Sequence, residues 1–432
     1  MSTAPDTVLK TRLRNGLEVR LKEVHTAPLI SSWIWYRVGS RNETPGTTGI
    51  SHWVEHMQFK GTPTFPAGIL DRAISRDGGM WNAMTWVDWT AYFETMPADK
   101  VSLGLRLEAD RMVNSLFEEA EVESERTVII SERQGHENDP TFRLAEELQA
   151  AAFRVHSYHH EVIGDMADLD RMTRDDLYHH YRRYYNPGNA VLSVAGDFRT
   201  RSMLETIRGL FKDIPSKAGA VPQIRPEPAQ RGEKRVIVEG VEDTIHLEVA
   251  YHAPNAANPD FFPLAVLDSV LGGASNLNMF GSGIPNKTSR LYRALVSGGI
   301  AASVRGQLSA TIDPHLYSIE ITVRPDRTPE EALAVLDWEI DRILNEKIVA
   351  VELSKAIKQA RALFAYGSES ITNQAFWMGY SEMFADYSWF ETYLDRLSEV
   401  KVGDVLDIAQ KYLVGSNRIV GIYRPKNGAR GG

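Results

Sequence analysis

The residues of this chain best suited to chemistry lie in one short stretch, "GISHWVEHMQFKGT", which spans residues 49–62. His52 and His56 stand four residues apart, and Glu55 directly precedes the second histidine. On a helix, positions four apart lie one above the other, with about 5–6 Å between β-carbons. The spacing therefore predicts two imidazoles that can bind one metal ion and a carboxylate beside them that can act as a base. The alternative is a polar stripe on the surface of an amphipathic helix.

A metal site of this kind needs a third ligand, and the later stretch "ESERTVIISE" offers one. Glu125 and Glu132 are seven residues apart, or two helical turns, so they share a face of the predicted helix. Val128 and Ile129 between them are expected to bury that helix, and a buried carboxylate needs a partner such as a metal ion. We therefore expect Glu132 to complete a His2Glu set for Zn2+, and Glu125 to orient a ligand. Two solvated glutamates in an acidic stretch are the alternative.

The ends of the first helix and of the acidic helix can also be predicted. Thr47 or Thr48 is placed to cap the start of the helix that carries the histidines, and Gly61 is placed to end it. The same periodicity turns Ile50, Val54 and Met57 towards the core. After the acidic helix, Gly135 predicts that His136 lies in a loop, so this histidine is not assigned to the site.

Composition limits what the protein can be. Its 432 residues are too many for one ordinary core and predict about two or three domains. It has no cysteine, so a metal must be bound by His, Asp or Glu. A net charge of −9 with scattered Lys and Arg argues against nucleic-acid binding. No secretory pattern opens the sequence, and no apolar run approaches the ~20 residues that span a bilayer, so a cytoplasmic protein without membrane contact is expected.

The chain reads as two similar halves joined by a proline-containing polar linker. We predict an N-terminal catalytic domain at residues 1–215, a linker at 216–232 and a C-terminal homologous domain at 233–432. Both halves place two strands before a helix, further strands and a long helix, as a duplication would. The expected fold class is α+β, with two homologous domains that each pack helices on a mostly antiparallel sheet. The helix of the second half, "DFFPLAVLDSVLGG", carries no histidine, so only the first domain is expected to be catalytic.

Four segments together resemble the pitrilysin, insulinase and mitochondrial processing peptidase family of inverted-motif zinc peptidases. They are "GSRNETPGTTGISHWVEHMQFKGT", "GGMWNAMTWVDWTAYFETM", "ESERTVIISE" and "TSRLYRALV". The resemblance implies a zinc endopeptidase of the half-length type, one half of a clamshell that encloses short or unfolded peptides. It implies zinc ligation by His52, His56 and Glu132, with Glu55 as the base. It also implies that a substrate peptide pairs with a sheet edge near Asn82 and Ala83.

The sequence departs from this family in its second half. Active members usually have an arginine and a tyrosine in a stretch like "LRxxxGLAY", which hold the substrate and the oxyanion. Val296 and Ala302 occupy the corresponding positions here, and neither side chain can donate a hydrogen bond. We therefore expect a dimer, in which a homologous subunit supplies the Arg/Tyr pair. A non-catalytic core, scaffold or processing subunit, and a zinc enzyme with a non-peptide substrate, are the alternatives.

A glycine- and asparagine-rich insertion, residues 271–291, is predicted to be a loop. It resembles in part the glycine-rich loop of the non-catalytic processing-peptidase subunit. An ordinary solvent loop is the alternative.

Overall fold

The computed structural model of the protein describes residues 7–216, 223–278, 287–346 and 348–426. Within those ranges the chain forms two compact units. The first comprises the chain up to Arg133, His160–Ile224 and Ser368–Phe390. The second comprises Gln134–His159, Arg225–Gly367 and the chain from Glu391 onwards. Among the described helices, none combines the length and the apolar character that crossing a bilayer would require.

Each unit combines one β-sheet with several helices, which confirms the α+β class. The strands are β1 (Leu9–Arg12), β2 (Glu18–Glu23), β3 (Leu29–Tyr36), β4 (Met80–Thr85), β5 (Thr90–Pro97), β6 (Ala190–Gly196), β7 (Lys234–Gly240), β8 (His246–Ala253), β9 (Ala301–Leu308), β10 (His315–Val323) and β11 (Arg418–Pro425). The helices are α1 (Ile50–Met57), α2 (Ile69–Arg76), α3 (Val101–Asn114), α4 (Glu119–Glu137), α5 (Pro140–Ala152), α6 (Met166–Leu169), α7 (Arg174–Tyr184), α8 (Thr200–Phe211), α9 (Phe261–Leu271), α10 (Pro329–Asn345), α11 (Ala350–Tyr366), α12 (Ile371–Phe384), α13 (Tyr387–Glu399) and α14 (Val402–Tyr412).

The two sheets have the same strand order, which supports the predicted duplication. The first sheet runs β1-β2-β6-β3-β5-β4, and the second runs β7-β11-β8-β10-β9. Apart from the additional β1, each sheet begins with one parallel pair and continues with antiparallel pairs. The mostly antiparallel character that we expected is therefore confirmed. In the first sheet this order leaves β4 as an edge strand.

The central strand β3 is covered on both faces, and its sequence shows why. Ile34 and Trp35, which are neighbours in sequence and so lie on opposite faces of the strand, are both fully buried. A strand buried on both sides reads as a nearly continuous apolar run. Helix α12 covers one face: a β-carbon on its Gly379 would lie 2.1 Å from Nε1 of Trp35. Glycine at this position is therefore what allows α12 to approach the sheet so closely. Within the same unit, Oγ of Ser193 donates to the carbonyl of Ala375 at 2.8 Å.

The division into units differs from the contiguous ranges 1–215 and 233–432 in two segments. Residues 368–390, which include α12, pack in the first unit for the reason just given. Residues 134–159, which include α5, belong to the second unit. There Nζ of Lys234 donates to the carbonyl of Ala151 at 2.6 Å, and a β-carbon on Gly421 would lie 3.0 Å from Leu144 and from Leu148. Each segment therefore belongs to the unit whose sheet covers its apolar face.

Two local predictions concern His136 and the insertion at residues 271–291. The prediction of a loop at His136 is wrong, because α4 continues through Gly135 to Glu137. A single glycine lowers helix propensity by only about 1 kcal/mol, which the rest of a long helix offsets. The predicted loop at residues 271–291 lies partly outside the described residues, since 279–286 are not described.

Candidate zinc centre

Helices α1 and α4 bring three ligand groups to one point, as the spacing and the family resemblance predict. Nε2 of His52 lies 3.2 Å from Nε2 of His56. Oε2 of Glu132 lies 3.8 Å from the first of these nitrogens and 3.7 Å from the second. Among the described residues, these three alone form a group of His, Asp or Glu side chains able to hold a metal ion. The role of each as a ligand remains a prediction.

The separations fit zinc. In a tetrahedral site with bonds of about 2.0–2.2 Å, neighbouring ligand atoms lie ~3.3–3.6 Å apart. Three atoms at the separations found here share a point roughly 2.1 Å from each of them, which is the length of a Zn–N or Zn–O bond. Two imidazoles and one carboxylate are also the ligand set of catalytic zinc sites that keep a fourth position open.

Glu125 touches the other side of one ligand. Its Oε1 lies 2.8 Å from Nδ1 of His56, so the imidazole can donate there while Nε2 points to the metal position. The Nζ of Lys60 pairs with the second oxygen of Glu125. Burial alone would raise the pKa of Glu125, but the hydrogen bonds from His56 and Lys60 outweigh it and lower the pKa. Glu125 is therefore held as a carboxylate, which can orient His56.

Glu55 lies beside the three candidate ligands, but its carboxylate forms a hydrogen bond with a residue of another element. Its Oε2 accepts a hydrogen bond of 2.6 Å from Oγ1 of Thr85, the last residue of β4. Burial raises the pKa of Glu55 to about 7, although the hydrogen bond from Thr85 and the charge of His56 act in the opposite direction. A carboxyl group with a pKa near neutrality is suited to general base catalysis.

The start of α1 is held by a residue that the sequence analysis did not identify. The prediction of a threonine cap is wrong, because Gly49 stands at the cap position with φ +84° and offers no side chain. The carboxylate of Glu43 takes over this function and accepts from the amides of Gly49 and Ser51, at 2.8 Å each. Thr48 instead donates its hydroxyl to Asp168 at 2.7 Å.

The remaining expectations for α1 and α4 have mixed outcomes. Ile50, Val54 and Met57 are buried, as predicted. The helix ends at Met57, and Gln58 takes the cap position, so Gly61 does not end it. On α4, Ile129 is fully buried, but Val128 is 46% exposed. The expectation that Val128 buries α4 is therefore wrong, because Val128 lies on the same helix face as Glu132, whose side chain is 35% exposed, so this part of the face is not covered.

Asn82 and Ala83 lie on β4, at the edge of the first sheet, where the resemblance places the substrate. Asn82 is exposed and Ala83 is buried. The amide of Ala83 donates to Oδ1 of Asn82 at 2.9 Å. A backbone carbonyl of an incoming peptide strand could replace this side-chain acceptor. Binding of a peptide there remains a prediction.

In the second unit, the two positions that depart from the family pattern lie in different elements. Val296 lies in a π-helical turn, Tyr292–Ser297, and is half-buried. Ala302 lies on the edge strand β9 and is exposed. Their side chains contain only carbon, so neither can hold a substrate carbonyl.

Comparison with known proteins agrees with this description. Residues 18–166 match the family "Insulinase (Peptidase family M16)", and residues 171–360 match "Peptidase M16 inactive domain". The zinc protease PqqE of Helicobacter pylori is 29% identical over 419 residues, which cover 93% of this chain and 89% of that protein. A probable mitochondrial-processing peptidase subunit beta of Arabidopsis thaliana is 26% identical, covering 83% of this chain and 67% of that protein.

A solved structure has the same fold. The crystal structure of a protease from Helicobacter pylori superposes with a TM-score of 0.91 at 26% identity, covering 97% of this chain and 100% of that one. With both family matches, this likeness extends over nearly the whole chain. The chain belongs to peptidase family M16, the insulinase family of zinc proteases.

Proposed function

We propose that the protein is a zinc metallo-endopeptidase that hydrolyses short or unfolded peptides, as the catalytic subunit of a two-chain enzyme. The observation that carries this proposal is the convergence of His52, His56 and Glu132 at zinc-binding separations, with Glu55 beside them. Zn2+, when bound, would polarise the scissile carbonyl and lower the pKa of a water molecule towards ~7.

Each protein group then has a distinct task. His52, His56 and Glu132 bind the metal, and Glu125 holds His56 in the orientation that binding requires. Glu55 accepts the proton of the attacking water and passes it to the leaving amine. Its burial supports this role, because a poorly solvated carboxylate is a stronger base than an exposed one.

The substrate backbone would pair with β4, beside Asn82 and Ala83. Main-chain hydrogen bonds to an edge strand bind a peptide without strong preference for its side chains. Short or unfolded polypeptides can offer such an extended segment, whereas a folded domain cannot.

The chain lacks donors at positions 296 and 302, which supports a partner subunit. Removing one donor that stabilises the charge on the scissile carbonyl typically costs about 10²–10³ in kcat. A homologous chain with an arginine and a tyrosine at these positions would complete the site. The isolated chain should then be weakly active and regain rate when that partner is added, and full activity of the isolated chain would contradict the need for a partner.

A non-catalytic core, scaffold or processing role is the second candidate. The match to an inactive-domain description favours it, but this match covers residues 171–360 and does not include the HxxEH motif at residues 52–56. A chain that served only as a scaffold would have no use for a complete ligand set with a base. Activity therefore decides between the two roles.

The test compares wild type with Glu55→Gln for zinc content and for hydrolysis of an internally quenched peptide, with and without a candidate partner. Glu119→Gln serves as the matched control, because Glu119 is exposed in the first turn of α4. We expect Glu55→Gln to retain zinc and to lose at least ~10²-fold in kcat, while the control keeps both. Equal hydrolysis by Glu55→Gln and wild type would refute the assigned base.

A further inference from the structure

The carboxylate of Glu55 is held from outside its own helix. Oγ1 of Thr85 lies 2.6 Å from Oε2 of Glu55, a separation typical of a hydroxyl that donates to a charged carboxylate. Within the described part of the chain, Thr85 is the hydrogen-bond partner of this carboxylate, and no second one occurs. The contact joins the proposed base to β4, the strand on which the peptide is proposed to pair.

The neighbouring hydroxyls determine the direction of this hydrogen bond. Oγ1 of Thr90 lies 3.3 Å from that of Thr85, but it donates its own proton to the carbonyl of Val38 at 2.9 Å. A carbonyl can only accept, so the proton of Thr90 is committed there. The single proton of Thr85 is therefore free for Glu55, which is the closer and more strongly accepting group.

The strand geometry adds a second link. Side chains of a strand alternate between its faces, so Ala83 and Thr85 lie on the same face of β4. The strand that is proposed to bind the substrate at Ala83 therefore also carries, two residues later, the hydroxyl group that contacts Glu55. A glutamate side chain has several rotatable bonds, so its carboxylate needs a contact that holds it in place. Displacing a catalytic group by about 1 Å can lower the rate ~10²-fold.

We propose that Thr85 is the positioning residue for Glu55: it engages Oε2, so that Oε1 is the oxygen turned to the attacking water. It also couples the placement of the base to the peptide-binding edge of the sheet. This inference rests on the proposed function, since it assigns a role within the same reaction. It concerns the orientation of the carboxylate and leaves metal binding to other residues.

The test uses the full-length, zinc-loaded chain with its partner where activity requires one, and the same quenched peptide. Thr85→Val keeps the shape of the side chain but removes the donor, and Thr85→Ser keeps the donor. We expect kcat to fall by ~10–100-fold in Thr85→Val with KM within about twofold, and Thr85→Ser to restore most of kcat. Zinc affinity, measured by titration with the metal alone, should be unchanged in both variants.

Thr11→Val, on the opposite edge strand β1, is the matched control and should behave as wild type. Three results would overturn the inference: a kcat of Thr85→Val within about twofold of wild type, equal impairment of Thr85→Ser, or a loss of zinc affinity. Glu55→Gln is measured in parallel to separate the two proposals. If Glu55→Gln is inactive while Thr85→Val behaves as wild type, only the positioning role of Thr85 is refuted. If Glu55→Gln is as active as wild type, the proposed function and the positioning role are both refuted.

Discussion

Nδ1 of His56 lies 2.8 Å from Oε1 of Glu125, and this contact joins the two helices of the candidate zinc centre. The side chain of Glu125 is only 7% exposed, and its other oxygen pairs with Lys60. One imidazole thus faces a carboxylate on one side and the metal position on the other. From this arrangement we predict that Glu125 contributes to zinc affinity, which can be measured separately from catalysis.

Glu125→Gln should weaken zinc binding by ~10–100-fold, because an amide orients the imidazole less strongly than a carboxylate. Competition with a chromophoric chelator measures the dissociation constant directly. Glu119→Gln on the same helix should leave it unchanged. If Glu125→Gln bound zinc as tightly as wild type, Glu125 would have no part in preparing the site.

Zinc should stabilise the protein through its three ligands. A ligand that binds only the folded state adds about 2.7 kcal/mol at a free concentration ~100 times its dissociation constant. We expect this gain in the apparent free energy of unfolding for wild type, and its loss in His52→Ala and in Glu132→Gln. His179→Ala, which removes an exposed histidine of α7, should keep the gain. A zinc-dependent gain that survived in both ligand variants would place the metal elsewhere.

Glu43→Ala should destabilise the metal-free protein by about 2 kcal/mol or more. The variant leaves the amides of Gly49 and Ser51 without their buried acceptor, and hydrogen bonds to a charged group contribute ~1.5–3 kcal/mol. Urea-induced unfolding measures the effect. Glu43→Gln retains an acceptor oxygen and should lose less. If both variants were as stable as wild type, the start of α1 would not depend on this contact.

Asp268 should make the stability of the protein depend on pH. Burial raises its pKa to about 7 from a reference value of 3.8, although a hydrogen bond from Ser275 acts in the opposite direction. Because the folded state holds the proton more tightly, this contribution is complete below pH ~4 and is lost as the pH rises through ~7. Relative to Asp268→Asn, wild type should therefore lose on the order of 1 kcal/mol or more between pH 4 and 8.

Thermal or urea unfolding across this pH range measures the difference between the two proteins. Asp407→Asn, at an exposed position of α14 in the same unit, is the control and should follow wild type. A difference between wild type and Asp268→Asn that stayed constant from pH 4 to 8 would contradict the prediction.

The parts of the site that were predicted correctly follow local periodicity. Ile50, Val54 and Met57 turn one face of α1 to the core, so His52 and His56 share the other. The same argument holds for the pair Glu125 and Glu132, since two helical turns bring them to one face whatever surrounds them. Periodicity did not predict the exposure of Val128, because the segments that pack against α4 decide which side of the helix is buried.

The contacts that were missed join residues distant in the sequence. Glu43 caps α1 through a loop, Lys60 reaches Glu125 from the segment that follows α1, and Thr85 reaches Glu55 from β4. None of these side chains carries a local pattern that identifies its partner. Alternation along β4, which puts Thr85 on the same face as Ala83, is the only signal that could have pointed to one of them.

By itself the sequence determined the α+β class, the duplication and the faces of α1 and α4 that carry the predicted ligands. It could do so because hydrophobic periodicity and residue spacing act over a few turns of helix or a few residues of strand. Only the tertiary structure decided that Glu43 holds the start of α1, that Thr85 contacts Glu55, and that α5 and α12 pack with sheets outside the ranges predicted for their domains. Those outcomes depend on which apolar faces bury each other, and that is settled by packing between segments far apart in the chain.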